Sequence, residues 1–343
     1  MKSEGFGKLT TGENTTLYTL SNEQLTITVS DFGGSMVNLW VKDKQGNPVD
    51  IVLGFDNVSG YEGDDGTYIG CNVGRNANRI HNAGFFLNGK KYELDKNEGT
   101  NNLHSGFNPY SKRMWKVNSV NDNSMRLSLF SPHMDQGFPG NMDLTVTYLL
   151  EDNGLKITYD ASCDEDTVIN ITNHSYFNLN GQGNGTILKH KVKINADSFI
   201  PVDTNSIPTG DIGNVSGTPM DFTVSKTIGK DIESDFETLH NTGGYDHNWC
   251  INNYDGTLKE AVVAEGDMTG IKMMIFTDYP AIQMYVGNFL DSVKGKEGKV
   301  YNRREGMCFE PQFYPDSVNH ENFYSPVCKA NQPFHKEIIY RFE

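Results

Sequence analysis

Six short segments of the chain concentrate side chains that can transfer protons or hydrogen-bond to a ligand. In chain order they are GRNANRI (74–80), NNLHSG (101–106), TNHSYFNLNG (172–181), GGYDHNW (243–249), IQMYVGNFL (282–290) and FEPQFYPDS (309–317). If they converge, the pocket would hold two imidazoles (His104 and His174), two carboxylates (Asp246 and Glu310), the Arg79 guanidinium and several amides. Polyhydroxylated ligands such as cyclic sugars need this mixture of donors and acceptors. A sugar site is therefore one interpretation, provided that the fold brings these distant segments together.

Each ionisable residue in these segments also has an ordinary structural interpretation. His104 and His174 could be buried neutral histidines with hydrogen-bond partners, which are common in proteins. Arg79 could pair with a surface carboxylate, and Asp246 could cap a turn. Glu310 could be a solvated charge on an edge strand. The residues alone leave the structural and the functional interpretations open.

The glycine-rich stretch from Gly70 to Gly74 does not fit a nucleotide-binding pattern. It lacks the G-x-G-x-x-G spacing of a dinucleotide site and the Lys-Ser/Thr of a P-loop, so neither NAD nor ATP is expected. No H-E-x-x-H segment or calcium-binding loop occurs, and the histidines have no local metal-binding spacing. We expect no catalytic metal and no cofactor, although metal ligands contributed by distant strands stay open as an alternative.

The charge of the chain limits the class of partner. Its 343 residues carry 29 Lys and Arg against 44 Asp and Glu, which gives a formal net charge of −15 and a pI near 5.0. Nucleic acids and anionic membranes bind to clustered basic residues, so neither is expected as a partner of this acidic chain. An acidic surface does not attract phosphorylated substrates either. A neutral small molecule is the expected ligand.

Cysteine usage and the N-terminal segment indicate the compartment. The five cysteines are scattered, odd in number and free of C-x-x-C spacing, so we expect buried reduced thiols rather than a disulfide framework or a zinc site. They are Cys71, Cys163, Cys250, Cys308 and Cys328. No apolar stretch of signal-peptide or bilayer length is visible. We therefore expect a soluble, cytoplasmic protein.

Two segments carry clear hairpin signals. Period-two alternation runs through Asp143 to Cys163 on both sides of Asp152-Asn153-Gly154. The run Phe85 to Leu87 is followed by Asn88-Gly89 and a second run, Lys90 to Leu94. Asn-Gly pairs tolerate the positive φ that tight hairpin turns require. Both segments are therefore predicted to be β-hairpins.

The remaining pattern predicts an all-β protein with few short helices. Further strands are expected at Leu25–Val29, Met125–Leu129, Ile271–Phe276, Ile282–Val286 and Glu337–Phe342. A helix is expected around Val224–Ile232. The simplest architecture is one large antiparallel β-sandwich over residues 1–343, a single domain. Its concave face would stay open and would hold the ligand.

The ordered set of motifs resembles the aldose 1-epimerases, also called galactose mutarotases. GRNANRI is similar to the family's GRxANRI, NNLHSG to NxLHGG and TNHSYFNLNG to NHxYFNL. GYDHNW is similar to GxDHN, and EPQFYPDS to ExQxxPDS. The resemblance runs from about Phe6 to the final strand. It implies a galactose-mutarotase-type β-sandwich with the sugar in an open cleft on one concave sheet.

The resemblance also implies residue roles and a substrate. Glu310 matches the family's general base, His174 its general acid, and His104 a second histidine near the ring oxygen. The positions that match sugar-contacting residues are Asn78, Arg79, Tyr176, Asp246 and Gln283. The implied substrates are free aldohexoses, with galactose and glucose foremost, and no cofactor. We expect a monomer or a homodimer.

Interconverting anomers requires two proton transfers at neighbouring oxygens. One proton leaves the C1 hydroxyl while another reaches the ring oxygen, and an ionised Glu310 with a protonated His174 would perform both. An imidazolium and a carboxylate stabilise each other's charge, so we expect the pair to be charged. A bell-shaped pH profile follows from this expectation.

Two residues depart from the family pattern. Ser105 stands where the family most often has glycine, and we expect it to change how the loop aims His104. Phe313 stands where many members have a polar residue, and we expect it to alter the cleft wall or the sugar preference. Neither departure removes the acid or the base.

Two other functions stay open as alternatives. A non-catalytic sugar-binding module would also place aromatic and amide side chains in a cleft. It would have no need of an acid and base pair. A glycoside hydrolase would use Asp246 and Glu310 as two carboxylates flanking a glycosidic bond.

Overall fold

The protein is built mainly from antiparallel strands. The structure, a computed structural model, describes residues 2–64 and 66–343. Within these residues the α-helices are α1 (Val58–Glu62) and α2 (Glu237–Thr242), both under two turns long. No helix in the described part of the chain is long and apolar enough to cross a membrane.

The strands are distributed along the whole chain and many are short. Those in the first half are β1 (Lys2–Lys8), β2 (Asn14–Ser21), β3 (Thr26–Ser30), β4 (Met36–Lys42), β5 (Pro48–Asp50), β6 (Asn72–Val73), β7 (Arg79–Ile80), β8 (Gly84–Leu87), β9 (Lys90–Glu93), β10 (Asn102–Leu103), β11 (Lys116–Val120), β12 (Ser124–Ser131), β13 (Met142–Glu151), β14 (Gly154–Cys163) and β15 (Thr167–Val168). Those in the second half are β16 (Thr172–Asn173), β17 (Tyr176–Phe177), β18 (Lys191–Ile194), β19 (Ser198–Ile200), β20 (Gly213–Asn214), β21 (Lys226–Thr227), β22 (Asp246–Cys250), β23 (Lys259–Glu265), β24 (Lys272–Thr277), β25 (Ala281–Tyr285), β26 (Val293–Lys294), β27 (Val300–Tyr301), β28 (Met307–Gln312), β29 (Val327–Cys328) and β30 (Pro333–Phe342).

Three sheets contain most of these strands. A nine-stranded sheet has the order β11-β12-β13-β14-β30-β24-β23-β18-β21, and a six-stranded sheet has the order β17-β28-β25-β22-β19-β20. A five-stranded sheet, β1 to β5, is formed by consecutive strands. The neighbouring strands within these sheets pair antiparallel. The prediction of an antiparallel all-β protein with few short helices is confirmed.

Both predicted hairpins are present. Strands β13 and β14 pair along their full length, and Asp152, with φ of 49°, provides the left-handed residue of the connecting turn. The positive φ therefore falls one residue earlier than the Asn153-Gly154 pair that predicted it, and Gly154 already begins β14. In the β8–β9 hairpin, Asn88 and Gly89 have φ of 52° and 76°, as the Asn-Gly signal requires.

Side chains from both large sheets share one hydrophobic core. Val146 on β13 and Tyr340 on β30 belong to this core together with Trp249 on β22 and Phe309 on β28. Because side chains alternate along a strand, the neighbours of Trp249 and Phe309 point to the opposite face of the six-stranded sheet. Polar residues such as Glu310 occupy that face. A single domain over residues 1–343 stays a prediction.

The helix predicted around Val224–Ile232 is wrong. The segment forms β21 and then one 3₁₀ turn, Ile228–Lys230. Nine residues are too few for a helix to form without strong packing. Here the backbone amide of Gly229 donates to the Leu188 carbonyl instead, at 2.8 Å. Pairing with this neighbouring segment therefore replaces the local helical bonds.

The other sequence predictions about elements and thiols hold. The five further strands correspond to β3, β12, β24, β25 and β30 with shifts of one to a few residues at their ends. All five cysteines are free and buried, as expected.

Candidate active site

One cavity of about 590 Å³ collects the predicted site residues from distant parts of the chain. Its lining includes Asn78, Arg79, His104, His174, Tyr176, Asp246 and Glu310. The convergence that the sugar-site interpretation required is therefore present. Among the described residues, Gln283 is the one predicted site residue that does not line the cavity.

Adjacent strands of the six-stranded sheet contribute the residues on one side of the site. Glu310 on β28 lies directly opposite Gln283 on β25. The Gln283 amide in turn donates to Asp246 Oδ1 on β22, at 2.8 Å. His174 lies in the short connection between β16 and β17, beside the start of β28. Antiparallel pairing thus brings Glu310, Gln283 and Asp246 side by side, with His174 next to them.

His104 lines the cavity beside His174, with the two ring centroids 5.4 Å apart, and its backbone has unusual dihedral angles. Asn78 and His104 have φ of 64° and 50°, and their backbones are joined by a hydrogen bond from the His104 amide to the Asn78 carbonyl at 3.1 Å. The Asn78 amide donates to His104 Nδ1, also at 3.1 Å. His104 therefore accepts at Nδ1, and a neutral ring carries its proton on Nε2.

Ser105 adopts a left-handed backbone conformation. Its φ is 73°, in the left-handed region that normally favours glycine. The hydroxyl accepts a hydrogen bond from the Asn76 amide at 2.8 Å and donates to the Asn76 carbonyl at 3.0 Å. These two bonds offset part of the backbone strain.

His174 and Glu310 face each other inside the cavity. His174 Nε2 lies 3.7 Å from Glu310 Oε1, and both side chains are almost fully buried. The other ring nitrogen, Nδ1, lies 3.6 Å from Cys308 Sγ. Glu310 Oε2 has no hydrogen-bond partner among the described residues. This buried oxygen therefore has no partner within the described part of the protein.

Burial shifts the pKa values of this pair in opposite directions. It lowers the pKa of His174 to about 4. It raises the pKa of Glu310 well above its usual value; Asp246 raises that pKa further, and Arg79 opposes the shift. Burial therefore favours an uncharged pair, neutral His174 with protonated Glu310, rather than the charged pair expected from the sequence. Removing two charged groups from water costs more than their attraction returns.

Arg79 is held in place by carboxylates on both sides. Its Nε and Nη2 donate to the two oxygens of Glu98 at 2.7 and 2.8 Å, a bidentate pair. Its Nη1 lies 4.0 Å from Asp246 Oδ2. The alternative of a simple carboxylate pair is thus partly right, since Arg79 has such a partner, but the pair lies in the cavity wall.

Aromatic rings complete the cavity. The rings of Tyr68 and His104 lie 4.5 Å apart, and Tyr176 lies 5.3 Å from His174. The Tyr176 hydroxyl donates to the Thr67 carbonyl at 2.9 Å, so its proton is already used within the protein. At the rim, the exposed ring of Phe289 stacks on a tyrosine of β25.

The sequence analysis missed several of these residues. Tyr68, Glu98 and Phe289 line the cavity but carried no spacing signal that set them apart. Cys308 could have been found, because it lies two residues before Glu310 and therefore on the same face of β28. The period-two alternation of the strand was therefore the signal that could have identified Cys308.

Two residues of the quoted segments, His247 and Phe313, pack within the protein. His247 is buried, accepts from the Asp246 amide at Nδ1 and contacts the Thr238 hydroxyl at Nε2. Phe313 does not line the cavity in the described part of the chain; its ring packs edge-on against Tyr279. The expectation that Phe313 alters the cleft wall is therefore wrong, because its ring is turned into this packing.

The site has the groups for proton transfer but not the arrangement of a metal centre. Within residues 2–64 and 66–343, no group of three or more His, Cys, Asp or Glu side chains is placed to hold a metal ion. Glu310 and His174 lie next to each other, while Arg79, Asp246 and Asn78 surround them with donors and acceptors. Such a site can move protons between oxygens of a bound polyol.

Comparison with known proteins gives one consistent result. The family model described as aldose 1-epimerase matches residues 16–341. Galactose mutarotase from Bos taurus is 37% identical over 98% of this chain and 97% of its own length. Aldose 1-epimerase from Escherichia coli strain K12 is 34% identical over 92% and 91%. The crystal structure of a GalM/aldose epimerase homologue from C. elegans has a TM-score of 0.87 at 32% identity, covering 95% of this chain and 98% of that one.

Proposed function

The chain belongs to the aldose 1-epimerase family, and we propose that it interconverts the α and β anomers of free aldohexoses, with galactose and glucose as substrates. The observation that carries this proposal is the pair formed by His174 Nε2 and Glu310 Oε1, 3.7 Å apart in one buried cavity. Ring opening needs one base and one acid on neighbouring oxygens. The pair supplies both without a cofactor.

Opening begins from the form of the pair that has its proton on His174. Glu310 takes the proton of the C1 hydroxyl while His174 gives its proton to the ring oxygen. The C1–O5 bond breaks and a C1 aldehyde forms. Afterwards Glu310 is protonated and His174 is neutral, which is the state that burial favours. Each positioned group typically contributes about 10² to 10⁴ in rate.

Closure on the other face of the aldehyde needs rotation about C1–C2 while the rest of the sugar is held. We assign this holding to Arg79, Asp246 and Asn78, with Tyr176 and His104 forming the walls. The carboxylate of Glu98 orients Arg79 before the sugar arrives, which reduces the entropy lost on binding. Glu310 then returns its proton to O1, and His174 takes the proton of the ring hydroxyl.

Gln283 acts on the sugar through Asp246 in this proposal. Its Nε2 is bonded to Asp246 Oδ1, and the side chain is buried beneath the cavity lining. Direct contact between Gln283 and the sugar stays a prediction.

We also propose a cytoplasmic location. Five buried free thiols are compatible with a reducing cytoplasm. We propose a monomer or a homodimer whose ligand is a free sugar, with neither nucleic acid nor membrane as a partner. The formal charge of −15 supports the exclusion of both.

Polarimetry on freshly dissolved α-D-galactose and α-D-glucose tests the function. We expect the protein to accelerate the drift to the equilibrium rotation in proportion to its concentration. Saturable galactose binding without acceleration would make it a sugar-binding module. Release of nitrophenol from an aryl galactoside would instead support a glycoside hydrolase. Either result would overturn the proposal.

A further inference from the structure

The positive charge in the cavity is already paired within the protein. Among the described residues that line the cavity, Arg79 is the only lysine or arginine. Burial lowers the pKa of both His104 and His174, so these rings are neutral at pH 7. The carboxyl groups of the lining belong to Glu98, Asp246 and Glu310. The described lining therefore offers a bound anion no uncompensated positive charge.

Glu98 occupies one edge of the Arg79 guanidinium. Its two carboxylate oxygens accept from Nε and Nη2 at 2.7 and 2.8 Å. A free guanidinium edge binds carboxylate or phosphate readily, because it donates two parallel hydrogen bonds. Beside the other edge, Asp246 Oδ2 lies 4.0 Å from Nη1. An anion approaching that edge would therefore meet a second acidic side chain, whereas a sugar hydroxyl could still accept from Nη1.

The loop that carries Glu98 fixes this arrangement. The backbones of Glu98 and Asn101 exchange two hydrogen bonds, at 2.9 and 3.2 Å. The side-chain amide of neighbouring Asn97 donates to the Leu103 carbonyl and accepts from the Leu103 amide, both at 2.8 Å. Glu98 is therefore held against Arg79 by the protein itself, before a ligand arrives.

We propose that Glu98 is a specificity-determining residue that excludes anionic aldoses, because it neutralises Arg79 and occupies the edge at which an anion would bind. A cavity of about 590 Å³ would be about 10 Å across as a sphere, so a charge on any enclosed sugar lies within about 10 Å of Glu98. Charges at this separation still repel each other in a partly buried site. The inference rests on the proposed function and narrows its substrate class.

The test compares D-galacturonate with D-galacturonamide, two reducing sugars of nearly the same shape that differ by one negative charge at pH 7. Polarimetry on the intact protein gives kcat/KM for each sugar. In the wild type we expect the amide to be preferred by roughly 10-fold. In Glu98→Gln, which keeps one acceptor for Arg79, the ratio should approach one. Glu260→Gln, which removes a charge from an exposed position on β23, should keep the wild-type ratio.

A role limited to orienting Arg79 predicts a different outcome. Glu98→Gln would then slow both sugars equally and leave their ratio unchanged. That result, or equal values for the acid and the amide in the wild type, would overturn the inference. Glu98→Ala is measured in parallel, so that the ratio does not depend on the folding of one variant.

Calorimetric titration separates this inference from the proposed function. The Kd values of galacturonate and galacturonamide give the same ratio without any activity, and we expect the same preference for the amide. No acceleration with galactose would overturn the proposed function, whatever this ratio is. Equal Kd values for the two sugars, or binding of neither, would overturn the role of Glu98.

Discussion

At the scale of single residues, burial away from water determines the protonation states of Glu310 and His174. Burial lowers the pKa of His174 to about 4 and raises that of Glu310. Neither group would hold an isolated charge easily, so burial favours the form with neutral His174 and protonated Glu310. Two sugar oxygens can then exchange protons with the pair without leaving a full charge on either oxygen.

Removing either member should affect catalysis far more than binding. For Glu310→Gln and His174→Asn we expect kcat to fall about 10² to 10⁴-fold with KM nearly unchanged, because each group acts mainly in the transition state. Polarimetric rates over a range of galactose concentrations measure both constants. Glu260→Gln, an exposed glutamate on β23, is the matched control and should behave as wild type. Unchanged kcat in both site variants would refute the assigned roles.

The pH dependence of kcat/KM should respond to Asp246. The active form is the singly protonated pair, so activity falls in acid as His174 gains a proton and in alkali as the pair loses its proton. Asp246 raises the pKa of Glu310, so Asp246→Asn should lower it and move the alkaline limb to lower pH. Asp143→Asn, an exposed aspartate on β13, should not shift the limb. An upward shift in Asp246→Asn would contradict this reasoning.

The family resemblance pointed to His174, Glu310 and most of the cavity wall, and the structure brings these residues into one cavity, while the roles of acid and base stay predictions. The sequence could not reveal the depressed pKa of His174, which depends on how completely distant segments exclude water. It also gave no sign that Glu98 holds Arg79, since that contact depends on the path of a loop. Cys308 was readable from strand periodicity but was treated only as a buried thiol.

At the scale of elements, period-two patterns gave the strands and hairpins reliably, because each strand buries one face. The predicted helix at Val224–Ile232 failed where tertiary pairing outweighed a short local pattern. The sequence also did not indicate which strands would lie in the same sheet. The nine-stranded sheet joins β14 to β30, whose residues are far apart in the chain.

A buried ion pair joins the five-stranded sheet to the β26–β27 hairpin. Lys296 Nζ contacts Asp50 and the Val37 carbonyl, both at 2.6 Å. Breaking a buried pair leaves an uncompensated charge, so Lys296→Ala should destabilise the protein by about 3 to 5 kcal/mol. Urea unfolding measures this. Lys294→Ala, at an exposed position, should cost less than about 0.5 kcal/mol, and equal effects would refute the role of the pair.

At the scale of the whole molecule, buried neutral histidines link stability to pH. Burial lowers the pKa of His104, His174, His190 and His247. As the pH falls, the unfolded chain binds protons at these residues first, near pH 6.5. Their contribution is therefore complete above about pH 6.5 and is lost progressively in more acidic solution.

His247 allows this linkage to be measured away from the proposed chemistry. Its pKa is lowered to about 3, so it should account for about 2 kcal/mol of the stability lost between pH 7 and pH 5. In His247→Gln the difference in unfolding free energy between these pH values should shrink by that amount, whatever the absolute stability of the variant. A difference that does not shrink would mean that His247 is protonated in the folded protein.

The most direct measurement is a crystal structure of Glu310→Gln with galactose bound. We predict the side chain at position 310 within hydrogen-bond distance, about 3 Å, of the C1 hydroxyl, and His174 Nε2 at a similar distance from the ring oxygen. Arg79 and Asp246 should contact hydroxyls remote from C1. A sugar bound outside this cavity, or bound with C1 turned away from both position 310 and His174, would contradict the proposed mechanism.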